Sequence, residues 1–122
     1  MEHEEKPITL NLSHLVSVWK SKQFSTDFLA ALDEHSHSVP LWAVCEAGTP
    51  SSEDLVKFTN LKLEDEHGNK VSGSFGYSFT EVVEEGCGNN RRKHPQRGRL
   101  NFDFNFRIGS LEIHMPLSRF EP

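Results

Sequence analysis

Five basic side chains stand within nine residues of this sequence, with no acid among them: Arg91, Arg92, Lys93, Arg97 and Arg99. Guanidinium groups bind carboxylates and phosphates through paired hydrogen bonds, so such a group is typical of a contact with an anionic surface. The group belongs to the segment Glu84–Arg99, which joins two predicted strands and exceeds the roughly two to five residues of a hairpin connection. Its glycines and asparagines predict a flexible loop. The alternative is a solvated loop that only balances the acidic charge of the chain.

The rest of the chain is acidic. The sequence has 13 Lys and Arg against 18 Asp and Glu, so eight basic residues and a charge of −10 remain outside the basic segment. A chain of net charge −5 is a poor general binder of nucleic acid, because neutralising phosphates requires a basic surface. The charge pattern therefore predicts another protein as the partner, of opposite charge to the surface that contacts it, and does not predict nucleic acid.

A second set of polar side chains alternates with apolar ones near the C-terminus: Asp103, Asn105, Arg107, Glu112 and His114. The alternation places them on one face of a hairpin. Carboxylates beside an imidazole are the groups of acid–base catalysis, but an exposed polar face is also the usual outcome in an antiparallel sheet. We predict that Asp103, Arg107, Glu112 and His114 bind the partner together with the five basic residues, and we assign no catalytic residue.

The histidines and cysteines of the chain are candidate metal ligands or nucleophiles. His35 and His37 form a single His-X-His pair beside Glu34, whereas a zinc site needs three or four converging ligands. The separation of Cys45 and Cys87 matches no zinc or redox motif, and the sequence sets no geometry between either thiol and a histidine. The two cysteines are interpreted as free thiols or small core residues. Neither a metal nor a cofactor is predicted.

The segment Leu100–Leu117 gives the clearest structural pattern. Apolar and polar residues alternate along both of its arms, and Gly109-Ser110 between them is typical of a two-residue type II′ turn. This turn predicts the pairs Ile108 with Leu111, Phe106 with Ile113, Phe104 with Met115, and Arg107 with Glu112.

Alternation over Val71–Phe79 predicts a long strand with one apolar face and one small, polar face. Residues 56–58 and 61–63 alternate in opposite phases, which predicts a bulge near Thr59 and Asn60. The turn between these strands is predicted at Glu66, His67 and Gly68, pairing Leu63 with Val71 and Glu64 with Lys70.

Apolar residues at helical spacing predict two helices in the N-terminal third, after a short strand at Ile8–Leu12. Ser13 is the predicted N-cap of the first helix and Ser25 that of the second. The run Leu41–Cys45 is short and apolar, which favours a buried strand. The apolar stripe of the second helix is predicted to consist of Phe24, Phe28, Leu29 and Leu32.

A length of 122 residues predicts one domain, residues 7–122, behind a flexible tail of residues 1–6. Met1–Pro7 does not resemble a secretory leader, and no apolar run approaches the roughly 20 residues of a membrane span, so a cytoplasmic location is predicted. The predicted fold class is α+β, with N-terminal helices packed on one face of a curved antiparallel sheet of about five or six strands.

These patterns favour a non-catalytic protein-binding module, such as an inhibitor or an immunity-type neutraliser of an oppositely charged protein. The alternative is a small-molecule-binding or enzymatic domain with its pocket between the helices and the Phe-rich sheet face. A cavity of more than a few hundred cubic ångströms, lined by aromatic residues, favours the alternative, whereas a closed core favours the binding module. The oligomeric state is not predicted.

Overall fold

A computed structural model describes residues 5–45, 48–51, 54–84 and 91–116, most of which form a curled antiparallel sheet. The strands are β1 (Glu5–Asn11), β2 (Thr49–Pro50), β3 (Lys57–His67), β4 (Lys70–Glu84), β5 (Arg91–Asn105) and β6 (Ser110–Pro116). They follow the order β1-β6-β5-β4-β2 in the sheet, and β3 also pairs with β4. Within the described ranges there is one α-helix, α1 (Phe24–Glu34), and no helix there is long and apolar enough to cross a bilayer.

The long strand predicted from Val71–Phe79 is confirmed and forms the middle of the sheet as β4. Val71, Phe75 and Phe79 are buried on its inner face, as the alternation predicts. β4 pairs with β5 without interruption from Lys70 to Glu84, so the two strands share one register along their whole length.

Helix α1 packs its apolar stripe onto the inner face of the sheet. Phe28 is fully buried, and its ring lies 4.9 Å from that of Phe102 and 6.3 Å from that of Phe75. Burying a side chain of this size contributes roughly 1.5–3 kcal/mol. The helix begins at Phe24, so the predicted cap Ser25 lies inside it, because the chain already turns one residue earlier.

The first predicted helix is a 3₁₀ helix, Ser13–Val18, rather than an α-helix. It is six residues long, and the N–H of Leu15 donates to the carbonyl of Leu12 at 2.9 Å, the i to i+3 bond of a 3₁₀ helix. Ser13 does not cap it. Instead, the Oδ1 atom of Asn11 accepts the backbone N–H of Ser13 at 3.1 Å.

The strand predicted at Leu41–Cys45 is wrong, because this segment forms a 3₁₀ helix over Leu41–Val44. Its N–H groups bond locally: Ala43 donates to the carbonyl of Pro40 at 3.0 Å. Leu41 and Ala43 are buried while Trp42 is exposed. The segment therefore contributes two side chains to the core without pairing in the sheet. A further 3₁₀ turn occupies Ser36–Ser38.

The bulge predicted near Thr59 and Asn60 is confirmed. Thr59 pairs with Gly76, but the next pair is Lys62 with Ser74, and Asn60 has a positive φ of 54°.

The predicted three-residue turn at Glu66–Gly68 is wrong. His67 pairs with Lys70 around a two-residue turn in which Gly68 has a φ of 60°. A second irregularity between Leu63 and Asp65 shifts the register, so Leu63 pairs with Gly73 rather than with Val71.

The final hairpin forms between β5 and β6, but its predicted register is wrong. Phe104 pairs with Leu111 rather than with Met115, because the connection holds four residues, 106–109, instead of two. The side chain of Asn105 fixes this longer turn, since its Oδ1 accepts the N–H groups of Arg107 and Ile108 at 3.0 and 3.2 Å. Leu117 lies outside the described residues.

Arg107 consequently lies in the turn and is exposed, and it does not face Glu112. A four-residue change in the paired partner is even, so the paired residues of β5 and β6 keep their predicted faces, whereas Ile108 lies exposed in the turn. Leu111, Ile113 and Met115 are all buried as expected.

The short strand β2 contacts the 3₁₀ helix Leu41–Val44. β2 pairs with β4 at Glu81 and Val82, and β1 pairs with β6 from Glu5 to Asn11. The strand β1 thus begins within the stretch predicted as an N-terminal tail, and residues 1–4 lie outside the described part.

Candidate functional site

The predicted basic loop is a strand. Arg91 to Arg99 form the first nine residues of β5 and pair with β4, with Arg91 opposite Glu84 and Arg99 opposite Gly76. Pro95 lies within this stretch, opposite Thr80. A proline is tolerated where a strand edge lacks a neighbour, and within the described ranges β6 pairs with β5 only from Asn101 to Asn105. Residues 85–90, which connect β4 to β5, lie outside the description.

The alternation of β5 divides the five cations between two faces. Leu100, Phe102 and Phe104 are buried, so the even positions of this strand face the core. Arg92 shares their phase and lies on the inner side. The other four, all at odd positions, lie on the outer side of the sheet: Arg91, Lys93, Arg97 and Arg99.

Two lysines of β3 join them across β4. Lys57 pairs with Ser78, and Ser78 pairs with Arg97, so the two cations stand on the same face with one small residue between them. Two strand spacings separate them by about 9.5 Å. Lys62 is placed in the same way, opposite Ser74. We call this surface the cationic face, formed by Lys57, Lys62, Arg91, Lys93, Arg97 and Arg99.

The floor of the cationic face is made of small residues from β4. Ser74, Gly76 and Ser78 carry at most a hydroxymethyl group, so the longer side chains of β3 and β5 rise on both sides of a shallow trough. Gly76 keeps the floor low, because a Cβ atom there would lie 3.2 Å from the carbonyl oxygen of Thr59, a tight contact.

Arg99 is held flat across this floor. Its Nη2 atom donates to the carbonyl of Asn60 at 2.6 Å and to Oγ of Ser74 at 3.0 Å, and its Nε donates to the same hydroxyl at 3.2 Å. The bulge at Asn60 therefore presents a carbonyl that fixes a guanidinium group. Arg99 has a structural role within the cationic face.

The remaining cations differ in their partners. Lys93 pairs with Asp54 at 3.3 Å and Arg91 with Glu84 at 3.7 Å, both exposed pairs of small energetic weight. A hydrogen bond from Ser51, and then one from Lys93, lower the pKa of Asp54. Among the residues that the structure describes, Lys57, Lys62 and Arg97 form no ion pair.

The predicted acidic and histidine residues meet at the other end of the same outer face. Asp103 is directly opposite Glu112, and Nε2 of His114 lies 2.9 Å from Oδ2 of Asp103. The side chains of His114 and Asp103 are 24% and 31% exposed. The structure thus brings together three of the predicted polar residues, and Arg107 lies apart from them.

A buried carboxylate was missed by the sequence analysis. Glu81 is 1% exposed; its Oε2 accepts the backbone N–H of Gly48 at 2.8 Å, and its Oε1 accepts Nε2 of Gln96 at 3.2 Å. Its signal was present in the sequence, because Glu81 continues the phase of Phe75 and Phe79 on the inner face of β4.

The thiol of Cys45 is enclosed rather than poised for catalysis. Cys45 is buried and its Sγ donates to the carbonyl of Leu41 at 3.7 Å. It adds to the effect of burial in raising the pKa of Tyr77, whose ring lies against Gly98. Cys87 lies outside the described residues.

An open groove of about 1000 Å³ lies between the 3₁₀ segments and the start of β3. Trp42 and Leu55 are exposed in it, while Phe58 and Leu41 form its buried wall. Asp33 and His37 are polar groups on its rim. It is a separate place from the Phe-rich sheet face, which Phe28 of α1 fills.

Comparison with models of known protein families, with curated proteins and with solved structures found no match to this chain.

Proposed function

We propose that this chain is a non-catalytic protein-binding module that takes an acidic protein partner on its cationic face. The observation that supports this most is the row Lys57, Ser78 and Arg97. It places two exposed cations, neither in an ion pair within the described ranges, on either side of one small residue. Carboxylates that approach this row meet both charges at once and displace no internal partner.

We place the contact on the cationic face, and not on the acidic remainder of the chain, because of how the charges are distributed. The cations occupy odd positions of β5 and, on the other side of β4, the outer face of β3, so their fields add on one face of the sheet. The described acids are spread over separate elements, with Asp33 and Glu34 at the end of α1 and Glu64 to Glu66 in the β3–β4 hairpin.

A protein partner fits this face better than nucleic acid does. In the described parts of β3, β4 and β5, the aromatic side chains share the inner phase, so the trough offers no ring on which bases stack. The chain is also negative overall, which repels an extended polyanion away from the face itself. An acidic protein needs only a local match. Inhibitors and immunity-type neutralisers are modules of this kind.

Affinity capture from the native host with single charge reversals tests the proposal. K57E and R97E each reverse a cation that has no internal ion pair, and K22E makes the same change at an exposed lysine away from the face. We expect a partner that the wild type and K22E retain and that K57E and R97E lose. Crosslinking through Lys57, followed by mass spectrometry, identifies the contact.

Rising salt should weaken the captured complex, because exposed charges are screened over about 8–10 Å at 0.1–0.15 M. Equal recovery with all four proteins assigns the contact to another surface and overturns the proposal. Loss of the complex on nuclease treatment assigns the face to nucleic acid instead.

The groove beside Trp42 supports a second candidate, a small-molecule-binding domain. Its volume lies at the upper end of the range of ligand sites, and it combines apolar walls with a few polar groups. A fragment screen by tryptophan fluorescence tests this function, because Trp42 lies in the groove while Trp19 stacks on Phe106 with 4.7 Å between ring centroids. A hit whose signal persists in W42F does not bind in the groove.

A further inference from the structure

We infer that Asp103, Glu112 and His114 form a binding site for a divalent transition-metal ion. One carboxylate oxygen from each acid and one ring nitrogen of the histidine all lie within 4.8 Å of one another. Donors around an ion at 2.0–2.2 Å lie roughly 3–3.5 Å apart, so closing this set needs side-chain movements of about an ångström.

The strands position these donors before any ion arrives. Asp103 and Glu112 are a direct pair across β5 and β6, and His114 is the next residue of the same phase along β6. On the reverse of the sheet their neighbours Phe102 and Ile113 are buried and pair with each other. The backbone that carries the donors is therefore fixed by the core.

The charges of the site favour a cation. Asp103 and Glu112 are like charges placed directly opposite, an arrangement that destabilises a ladder. No lysine or arginine in the described part of the chain forms an ion pair with either carboxylate. Nε2 of His114 lies 2.9 Å from Oδ2 of Asp103, so one ion would reach both atoms.

The donor set selects the class of ion. One imidazole nitrogen with two carboxylate oxygens suits zinc, cobalt or manganese, whereas calcium requires six to eight oxygen ligands. Three protein ligands leave at least one position to water, and the partial exposure of the side chains gives solvent access.

Calorimetric titration of the full chain with zinc chloride tests the site. The site variants are E112Q and H114N. The matched control is the double variant H35N/H37N, which removes a pair of histidines outside the site. We expect one zinc ion per chain for the wild type and the control. Each site variant should bind at least roughly tenfold more weakly, since even the loss of an outer-shell partner commonly costs that much.

A second measurement keeps the test independent of heats of binding. Cobalt(II) bound to mixed nitrogen and oxygen donors of low coordination number gives a visible spectrum distinct from that of the hydrated ion. We expect this spectrum in the wild type and in H35N/H37N, and not in H114N.

Circular dichroism checks that each variant is folded. If H114N is unfolded, E112Q decides the test, because glutamine has the same shape as glutamate and position 112 is partly exposed. Unchanged zinc affinity in folded E112Q overturns the proposal. So does a wild type that binds no zinc, or binding that only H35N/H37N abolishes.

Discussion

The carboxylate of Glu81 joins two parts of the molecule that are 33 residues apart in sequence: its Oε2 accepts the backbone N–H of Gly48 at 2.8 Å. Gly48 itself is packed closely, since a Cβ atom there would lie 2.0 Å from the carbonyl oxygen of Val82. The buried acid thus holds the chain that enters β2 against β4. The carboxylate of Glu81 therefore has a structural role, because it accepts hydrogen bonds from two separate parts of the chain.

Replacing Glu81 with glutamine should destabilise the fold by about 1–3 kcal/mol, the usual cost of a buried polar group that loses a partner. An amide supplies one acceptor oxygen, so if that oxygen accepts from Gly48, its NH₂ group faces Gln96, whose side-chain amide must turn to accept it. The bond from the Gly48 N–H is then no longer made to a charged acceptor. Urea unfolding measures the change. E84Q is the control, at an exposed acid of the same strand, and should stay within about 0.5 kcal/mol. Equal midpoints for the two variants contradict the role given to Glu81.

Two glycines with positive φ should respond differently to alanine. At Gly109, with φ 80°, a Cβ atom would lie 2.3 Å from Cα of Ser13, whereas at Gly68, with φ 60°, nothing lies within 4 Å. G68A should therefore cost only the left-handed backbone term, about 1–2 kcal/mol. G109A should cost at least about 2 kcal/mol more, because the backbone of the 3₁₀ helix must move.

Thermal unfolding of both glycine variants measures the difference. Leu12 also donates its N–H to the carbonyl of Gly109 at 2.7 Å, so displacement at this turn is transmitted to β1. Similar melting temperatures for G68A and G109A mean that the turn is free to shift away from Ser13, contrary to this prediction.

The sequence predicted which face the paired side chains of the final hairpin occupy, but not their register. A period-two pattern is unchanged when a strand slides by an even number of residues, so Leu111 and Met115 are equally acceptable partners for Phe104. The choice was made by the turn. Asn105 accepts two backbone N–H groups there, and Phe106 stacks on Trp19 at 4.7 Å, a long-range contact that local patterns do not contain.

The strand character of Arg91–Arg99 was hidden for a related reason. Lys93, Pro95 and Gly98 have low β propensity, and the pairing of this segment depends on a partner strand that continues to Glu84. The bulge near Thr59 was predictable because it shifts the apolar phase within a single strand. The site followed the same division. Alternation predicts that Asp103, Glu112 and His114 share one face, but their clustering depends on the register set by the four-residue turn. The joining of Lys57 to Arg97 depends on the sheet order.

Arginine should be irreplaceable at position 99 and replaceable at position 97. R99K loses the fork that bonds the Asn60 carbonyl and the Ser74 hydroxyl together, and we expect it to lower the free energy of unfolding by about 1–2 kcal/mol. R97K keeps a charge at a position with no internal bond in the described structure and should change stability by less than about 0.5 kcal/mol. Chemical denaturation of the pair measures both. Equal losses contradict the anchoring role of Arg99.

Tyr77, the only tyrosine of the chain, should titrate later in the folded protein than in the unfolded chain. Burial raises its pKa above the ordinary value of 10.0, and the charge of the Cys45 thiolate adds to the rise. Above pH 10 the unfolded chain therefore releases the phenol proton first. The contribution of this group to stability is complete below pH 10 and is lost as the pH rises through the folded pKa.

Ultraviolet titration of the phenolate follows this single group directly, in the native protein and in urea. We expect a higher midpoint in the native protein, and a smaller difference in C45A that does not vanish, because burial is the larger cause. Y77F should lose part of the fall in unfolding free energy above pH 10, which separates the tyrosine from the lysines that titrate in the same range. Identical midpoints in native and unfolded wild type would show that solvent reaches the phenol and that its packing against Gly98 does not hold in solution.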